Sequence, residues 1–153
     1  MIAVSPAPTF LPRALLLTAW LVSASASGAV QATTPVVADY MLACQGCHLP
    51  DGSGFPARGV PALPGFVGRF LHVEGGREFL LRVPGVAQSD LTDERLAVLM
   101  NWVLRTFSPN ELPQDFRAFT AEEVSRSRYQ PLADVTATRN ALIARMAGKP
   151  SPR

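Results

Sequence analysis

The chain has 153 residues, 48% of them hydrophobic, and a formal net charge of +2. This length and composition suit one compact domain with an extension, and they exclude a disordered chain. The charge is nearly balanced and no basic stripe is interleaved with aromatic residues, which argues against nucleic acid as a partner.

Residues 1–32 have the pattern of a cleaved secretory signal peptide. Arg13 precedes an apolar run over residues 14–22, and small residues follow, so cleavage is expected after about Ala26 or Ala32. The apolar run is shorter than the ~20 residues that span a bilayer, so a retained membrane anchor is the weaker alternative. We therefore predict an exported chain with no membrane span after cleavage.

The first predicted helix begins at Thr33-Thr34-Pro35, where a threonine can cap it and a proline occupies the first turn. Its apolar residues, which include Tyr40, recur at helical spacing as far as Cys44. Glycine and proline are dense from Leu49 to about Pro64, which predicts a turning loop. Further along, one short helix is predicted on each side of Gly75-Gly76.

The clearest helical pattern covers residues 91–107. Thr92 can cap this helix, and its broad apolar face requires burial against more than one neighbour. Thr120 begins a capping box for a further helix, and Asp134 begins another that extends to about Met146. No alternating strand pattern occurs, so the sequence predicts an all-α fold.

Both cysteines of the chain lie in the motif CQGCH, residues 44–48. A disulfide between Cys44 and Cys47 would close too small a loop to stabilise the fold much. A thioredoxin-like dithiol requires a helix that follows its first cysteine, whereas the predicted helix precedes the motif. A zinc site would need all three of the motif's ligands together with His72, but an adjacent cysteine and histidine rarely reach one tetrahedral ion.

The third interpretation of the motif is covalent attachment of a haem. C-x-x-C-H spaces two thiols for thioether bonds to one porphyrin and places an imidazole beneath its iron. The predicted export signal supports this interpretation independently, because bacteria attach haem covalently outside the cytoplasm. In this interpretation both thiols and the imidazole of the motif have a role in binding the haem.

Residues 36–107 resemble a small class I c-type cytochrome with one haem. The resemblance rests on CQGCH, on the loop LPDGSGFPARGVPAL after it, and on LTDERLAVLMNWVL, which is similar to the last helix of that family. It implies an all-α haem domain over residues 33–107. Residues 108–153 form a helical C-terminal extension outside the resemblance, which is expected to cover the core through its apolar side or to dock a redox partner.

The resemblance also implies roles for individual residues. Cys44 and Cys47 would carry the thioether bonds of one haem c, and His48 would be the proximal iron ligand. The Pro61 carbonyl would accept the hydrogen bond from the other ring nitrogen of His48 and so fix the ring's orientation. Trp102 matches an aromatic residue of the family's last helix.

The sixth iron ligand is absent from the place where the family usually has a methionine. The loop before the last predicted helix, RVPGVAQSD, contains no methionine, histidine or lysine. His72 is the first candidate for the distal ligand, Met100 is the alternative, and Met41 is less favoured. A distal position with water or nothing bound is the remaining case.

The implied function is that of a periplasmic electron carrier and not an enzyme. Its partners would be redox proteins, such as a periplasmic dehydrogenase or a terminal oxidase. An open distal position would instead indicate a haem sensor or a protein that binds a small ligand. A CxxC thiol-disulfide oxidoreductase is the lesser alternative.

Overall fold

The computed structural model describes residues 35–147, and the predicted signal peptide lies outside this range. Within it, no helix has both the length and the apolar character needed to cross a membrane.

The described chain is helical. Its seven α-helices are α1 (Pro35–Ala43), α2 (Gln45–His48), α3 (Gly76–Arg82), α4 (Pro84–Ala87), α5 (Asp93–Phe107), α6 (Ala121–Arg128) and α7 (Val135–Ala147). Three 3-10 helices lie between them, at Pro56–Arg58, Val67–His72 and Pro109–Glu111. Over residues 35–147 the one β-type contact is an isolated bridge between Phe55 and Val60, so the all-α prediction is confirmed.

Three of the predicted helix starts are confirmed by their caps, whereas the threonine cap predicted at Thr33 or Thr34 lies outside the described residues. Thr92 and Thr120 each accept a hydrogen bond from the backbone amide three residues on, at 3.4 and 3.3 Å. Asp134 accepts one from the Ala137 amide at 2.8 Å. Helices also flank the Gly75-Gly76 pair as predicted, although the first of them is a 3-10 helix. The single turn α4 was not predicted, because four residues are too few to establish an apolar period.

Helix α1 crosses α5 through an aromatic cluster and an ion pair. The Tyr40 ring lies 5.2 Å from the Trp102 ring and 5.3 Å from the Phe107 ring, measured between centroids. The buried carboxylate of Asp39 pairs with the guanidinium of Arg95 at the same crossing. Because both contacts lie near the end of α1, they hold the start of the CQGCH motif against α5.

The C-terminal extension contributes to the same core. Val124 of α6 and Leu142 and Met146 of α7 are buried together with apolar residues of α3 and α5. The side chain of Asn101 on α5 also bonds both backbone groups of Phe119, at 2.7 and 3.0 Å. The apolar side predicted for the extension is therefore covered by the core.

We expect Leu142→Ala to lower the free energy of unfolding by about 2–5 kcal/mol, because it leaves a cavity at a fully buried position. Denaturant unfolding followed by circular dichroism measures the effect. Arg145→Ala, an exposed position of the same helix, is the control and should change stability by less than about 0.5 kcal/mol. Equal effects of the two substitutions would show that α7 does not belong to the core.

Candidate functional site

The CQGCH motif lies where α1 meets α2. The Cys44 amide donates to the Tyr40 carbonyl at 2.9 Å, so the motif continues from the last turn of α1. The Cys44 carbonyl in turn accepts hydrogen bonds from the amides of Cys47 and His48, at 3.1 and 2.9 Å. Both cysteines and the histidine therefore lie within one hydrogen-bonded turn of backbone.

The two thiols are not bonded to each other; Cys44 is half-buried and Cys47 is exposed. Burial, with a smaller effect from Cys47, raises the pKa of the Cys44 thiol to about 11. The short helix α2 does follow Cys44, which the sequence did not predict. A reactive dithiol requires a lowered thiol pKa, however, so this environment disfavours the thiol-disulfide oxidoreductase.

The imidazole of His48 has a buried ring nitrogen. Nδ1 has no hydrogen-bond partner within residues 35–147. Burial lowers the pKa of His48, and this is the larger effect. The nearby backbone carbonyl of Pro61 partly raises the pKa again, although its contact with the ring is not a hydrogen bond. Burial thus favours the neutral imidazole, which is the form that binds metals.

These residues fit a haem. When one ring nitrogen of a histidine binds iron, the other carries a proton, and a neighbouring carbonyl can accept it and orient the ring. Nδ1 of His48 is a buried ring nitrogen that needs such a partner when it carries the proton, and the Pro61 carbonyl is close enough to affect the ring. The structure therefore brings together four of the residues predicted for the site: Cys44, Cys47, His48 and Pro61.

Gly54 allows the loop after the motif to fold back onto His48. Its amide donates to the His48 carbonyl at 3.1 Å, and its φ is +65°. A Cβ at this position would lie 2.7 Å from the carbonyl oxygens of both Val60 and Pro61. Only glycine combines this φ with so close an approach, so Gly54 determines where the Pro61 carbonyl lies.

Tyr40, which was predicted only as an apolar position of the first helix, is also a residue of the site. Its buried hydroxyl donates to the carbonyl of Leu49, directly after His48, at 2.7 Å. Burial is the main cause that raises the pKa of Tyr40 to about 12. Leu49 has a φ of 60°, which is unusual for leucine, and the hydrogen bond holds this strained backbone. A tyrosine on an otherwise apolar helix face was the available signal, since a buried hydroxyl needs a partner.

The residues predicted for the distal position lie in three different surroundings. His72 ends the 3-10 helix Val67–His72, and its Nε2 lies 2.9 Å from the Glu111 carbonyl oxygen. Met100 is buried in the core on α5, and Met41 is 52% exposed on α1. The described residues contain no group of three or more side chains that could hold a metal ion together, which disfavours the zinc site.

The comparisons with known proteins agree with this geometry. No family model matches the chain. The chain is 34% identical over 107 residues to the cytochrome c-552 of Thermus thermophilus, and the alignment covers 58% of this chain and 81% of that protein. For a second cytochrome c-552, also from Thermus thermophilus, the identity is again 34% over 107 residues, with 58% and 72% covered. This chain, with its all-helical fold, therefore belongs to the c-type cytochromes.

Proposed function

We propose that this protein is a periplasmic electron carrier with one haem c bound to Cys44 and Cys47 and with His48 as the proximal iron ligand. The observation that carries the proposal is the single helical turn that holds C-x-x-C-H, with a buried Nδ1 on His48, unpartnered within the described residues, and the Pro61 carbonyl near the same ring. The likeness to cytochrome c-552 supports both the haem and electron transfer. When bound, the haem supplies one-electron redox chemistry.

The chain's own residues anchor and orient the group. The two thiols tether it to the end of α1, which the contacts of Tyr40 and Asp39 hold against α5. Burial favours the neutral imidazole of His48, and in the holoprotein the Pro61 carbonyl would accept the proton of the ring nitrogen that does not bind iron and so orient the ring. Where a bound haem contacted the aliphatic and aromatic core around α5, that core would supply a low dielectric, which favours the reduced form.

The distal ligand is the part of the proposal that most affects function. His72 is proposed first and Met100 second. Coordination through Nε2 of His72 would break its contact with the Glu111 carbonyl, and Met100 would have to leave the core. A distal position without a side chain requires neither change. This observation favours, as a second candidate function, a haem protein that binds a small ligand.

The periplasmic location rests on the signal pattern of residues 1–32. The proposed partners are other redox proteins, such as a dehydrogenase or a terminal oxidase of the same compartment. Encounters between such proteins are usually weak and transient.

Visible spectroscopy of the protein from a periplasmic preparation tests the proposal. We expect a haem spectrum that is retained after acid extraction, with reversible reduction and oxidation. Haem that is lost entirely on extraction would contradict covalent attachment. Haem that cannot be cycled between its two redox states would contradict electron transfer.

His72→Ala tests the distal ligand. If His72 binds the iron, the substitution removes the low-spin spectrum and the near-infrared band of the oxidised protein shifts. An unchanged spectrum excludes His72. Carbon monoxide added to the reduced wild-type protein near neutral pH then distinguishes the remaining cases, because an immediate spectral change requires an open position.

A further inference from the structure

A buried arginine of the C-terminal extension holds the segment that precedes α5. Arg128, at the end of α6, is 6% exposed. Its hydrogen-bond acceptors are the carbonyls of Ala87 at 3.3 Å, Leu91 at 2.9 Å and Ser89, and the Asp93 carboxylate at 3.1 Å. We call residues 87–93 the clamped segment, because its alternate carbonyls converge on one guanidinium.

The clamped segment forms part of a pocket beside the haem-attachment motif. The pocket has a volume of about 520 Å³, and residues 88–91 line one side of it. Leu42 and Ala43 of α1 also line it, and Cys44 follows them directly. A movement of the clamped segment would therefore change the solvent exposure of the surface next to Cys44.

The composition of the segment explains why it needs such a clamp. It has no methionine, histidine or lysine, so it cannot be held by a bond from one of these side chains to the iron. A guanidinium carries five N–H donors in a planar fork, which suits several carbonyls in different directions. The Asp93 carboxylate balances the buried charge.

We propose that Arg128 is a positioning residue for the haem site, which holds the clamped segment across the pocket from Leu42 and Ala43, the residues before Cys44, and so limits the access of water to a haem attached there. The inference rests on the proposed function. It assigns the C-terminal extension a role in the redox site in addition to its role in the core. Since the reduction potential of a haem depends on its exposure to solvent, the potential reports this role.

Arg77 is a matched control, because it ties the extension to the core at a different place. It lies on α3, pairs with Glu123 of α6, and donates to the carbonyls of Arg117 at 2.8 Å and Ala118 at 3.1 Å. Loss of either arginine removes one positive charge and several hydrogen bonds from a single guanidinium. The two arginines differ in that only Arg128 bonds to the clamped segment.

The experiment compares the wild-type holoprotein with Arg128→Leu, Arg128→Lys and Arg77→Leu. Its measurements are the haem content, the midpoint reduction potential and the rate of subtilisin cleavage within residues 87–93. Both Arg128 variants should be cleaved there about tenfold faster or more, a ratio that corresponds to about 1.4 kcal/mol of local stability. Their potential should fall, because water stabilises the oxidised haem. Arg77→Leu should show neither change.

The proposal is overturned if Arg77→Leu and the Arg128 variants shift the potential equally, since Arg128 would then act only through overall stability. It is also overturned if Arg128→Lys takes up haem and keeps the wild-type potential. Arg128→Lys decides the matter if Arg128→Leu does not fold, because lysine retains the charge and loses the fork. A wild-type protein without covalent haem would refute the proposed function instead, and the haem content identifies that outcome.

Discussion

The double variant Cys44→Ala/Cys47→Ala is expected to retain no haem after acid extraction. These are the two cysteines of the chain, and a thioether bond to the porphyrin cannot form without a thiol. His48 alone would hold a haem only by coordination, which acid disrupts. The measurement is the haem absorbance that stays with the polypeptide after extraction, relative to the wild type.

Gly46→Ala is the control for the cysteine variants. It lies between the two cysteines, leaves C-x-x-C-H intact, and would place its Cβ where no atom lies within 4 Å. It should therefore retain haem at the wild-type level. Covalent haem in the double variant, or its loss in Gly46→Ala, would be incompatible with the proposed attachment.

Gly54→Ala is expected to destabilise the protein and to disturb His48 at the same time. The positive φ of +65° by itself costs an alanine about 1–2 kcal/mol. The added Cβ would also lie 2.7 Å from two backbone carbonyl oxygens, one of them that of Pro61, so the loop must move. Because the Pro61 carbonyl acts on the His48 ring, we expect a changed haem spectrum.

Gly59→Ala separates the two effects of this substitution. Gly59 has a similar φ of +79°, but a Cβ there would meet no atom within 4 Å. It should cost only the backbone strain and leave the haem spectrum unchanged. If Gly54→Ala and Gly59→Ala have the same unfolding free energy and the same spectrum, Gly54 does not position the Pro61 carbonyl.

Features that depend on neighbouring residues could be predicted from the sequence. The caps at Thr92, Thr120 and Asp134 are hydrogen bonds between residues three apart, so residue type and spacing are sufficient to predict them. The CQGCH motif is equally local, because its two thiols and its imidazole must occupy one helical turn. Pro61 was predicted only through the family resemblance, since a backbone carbonyl leaves no signal in the residue type.

Features that depend on distant contacts could not be predicted in this way. Tyr40 was expected to be an apolar helix residue, and its bond to the Leu49 carbonyl depends on how the chain turns after His48. Arg128 received no prediction, because its acceptors lie 35 to 41 residues earlier in the chain. His72 was predicted as the distal ligand because it is the one histidine of the chain besides His48. Its contact with the Glu111 carbonyl is apparent only in the folded chain.

From its sequence alone, this protein can be recognised as an all-helical chain with a haem-attachment motif, because helix period, caps and C-x-x-C-H are all local patterns. Only the tertiary structure shows that Gly54 places the Pro61 carbonyl beside His48 and that Arg128 clamps residues 87–93. The physical reason is that backbone carbonyls form the surroundings of both the histidine and the clamped segment. Every residue carries the same carbonyl, so the folded path of the chain, and not the residue type, decides which ones converge.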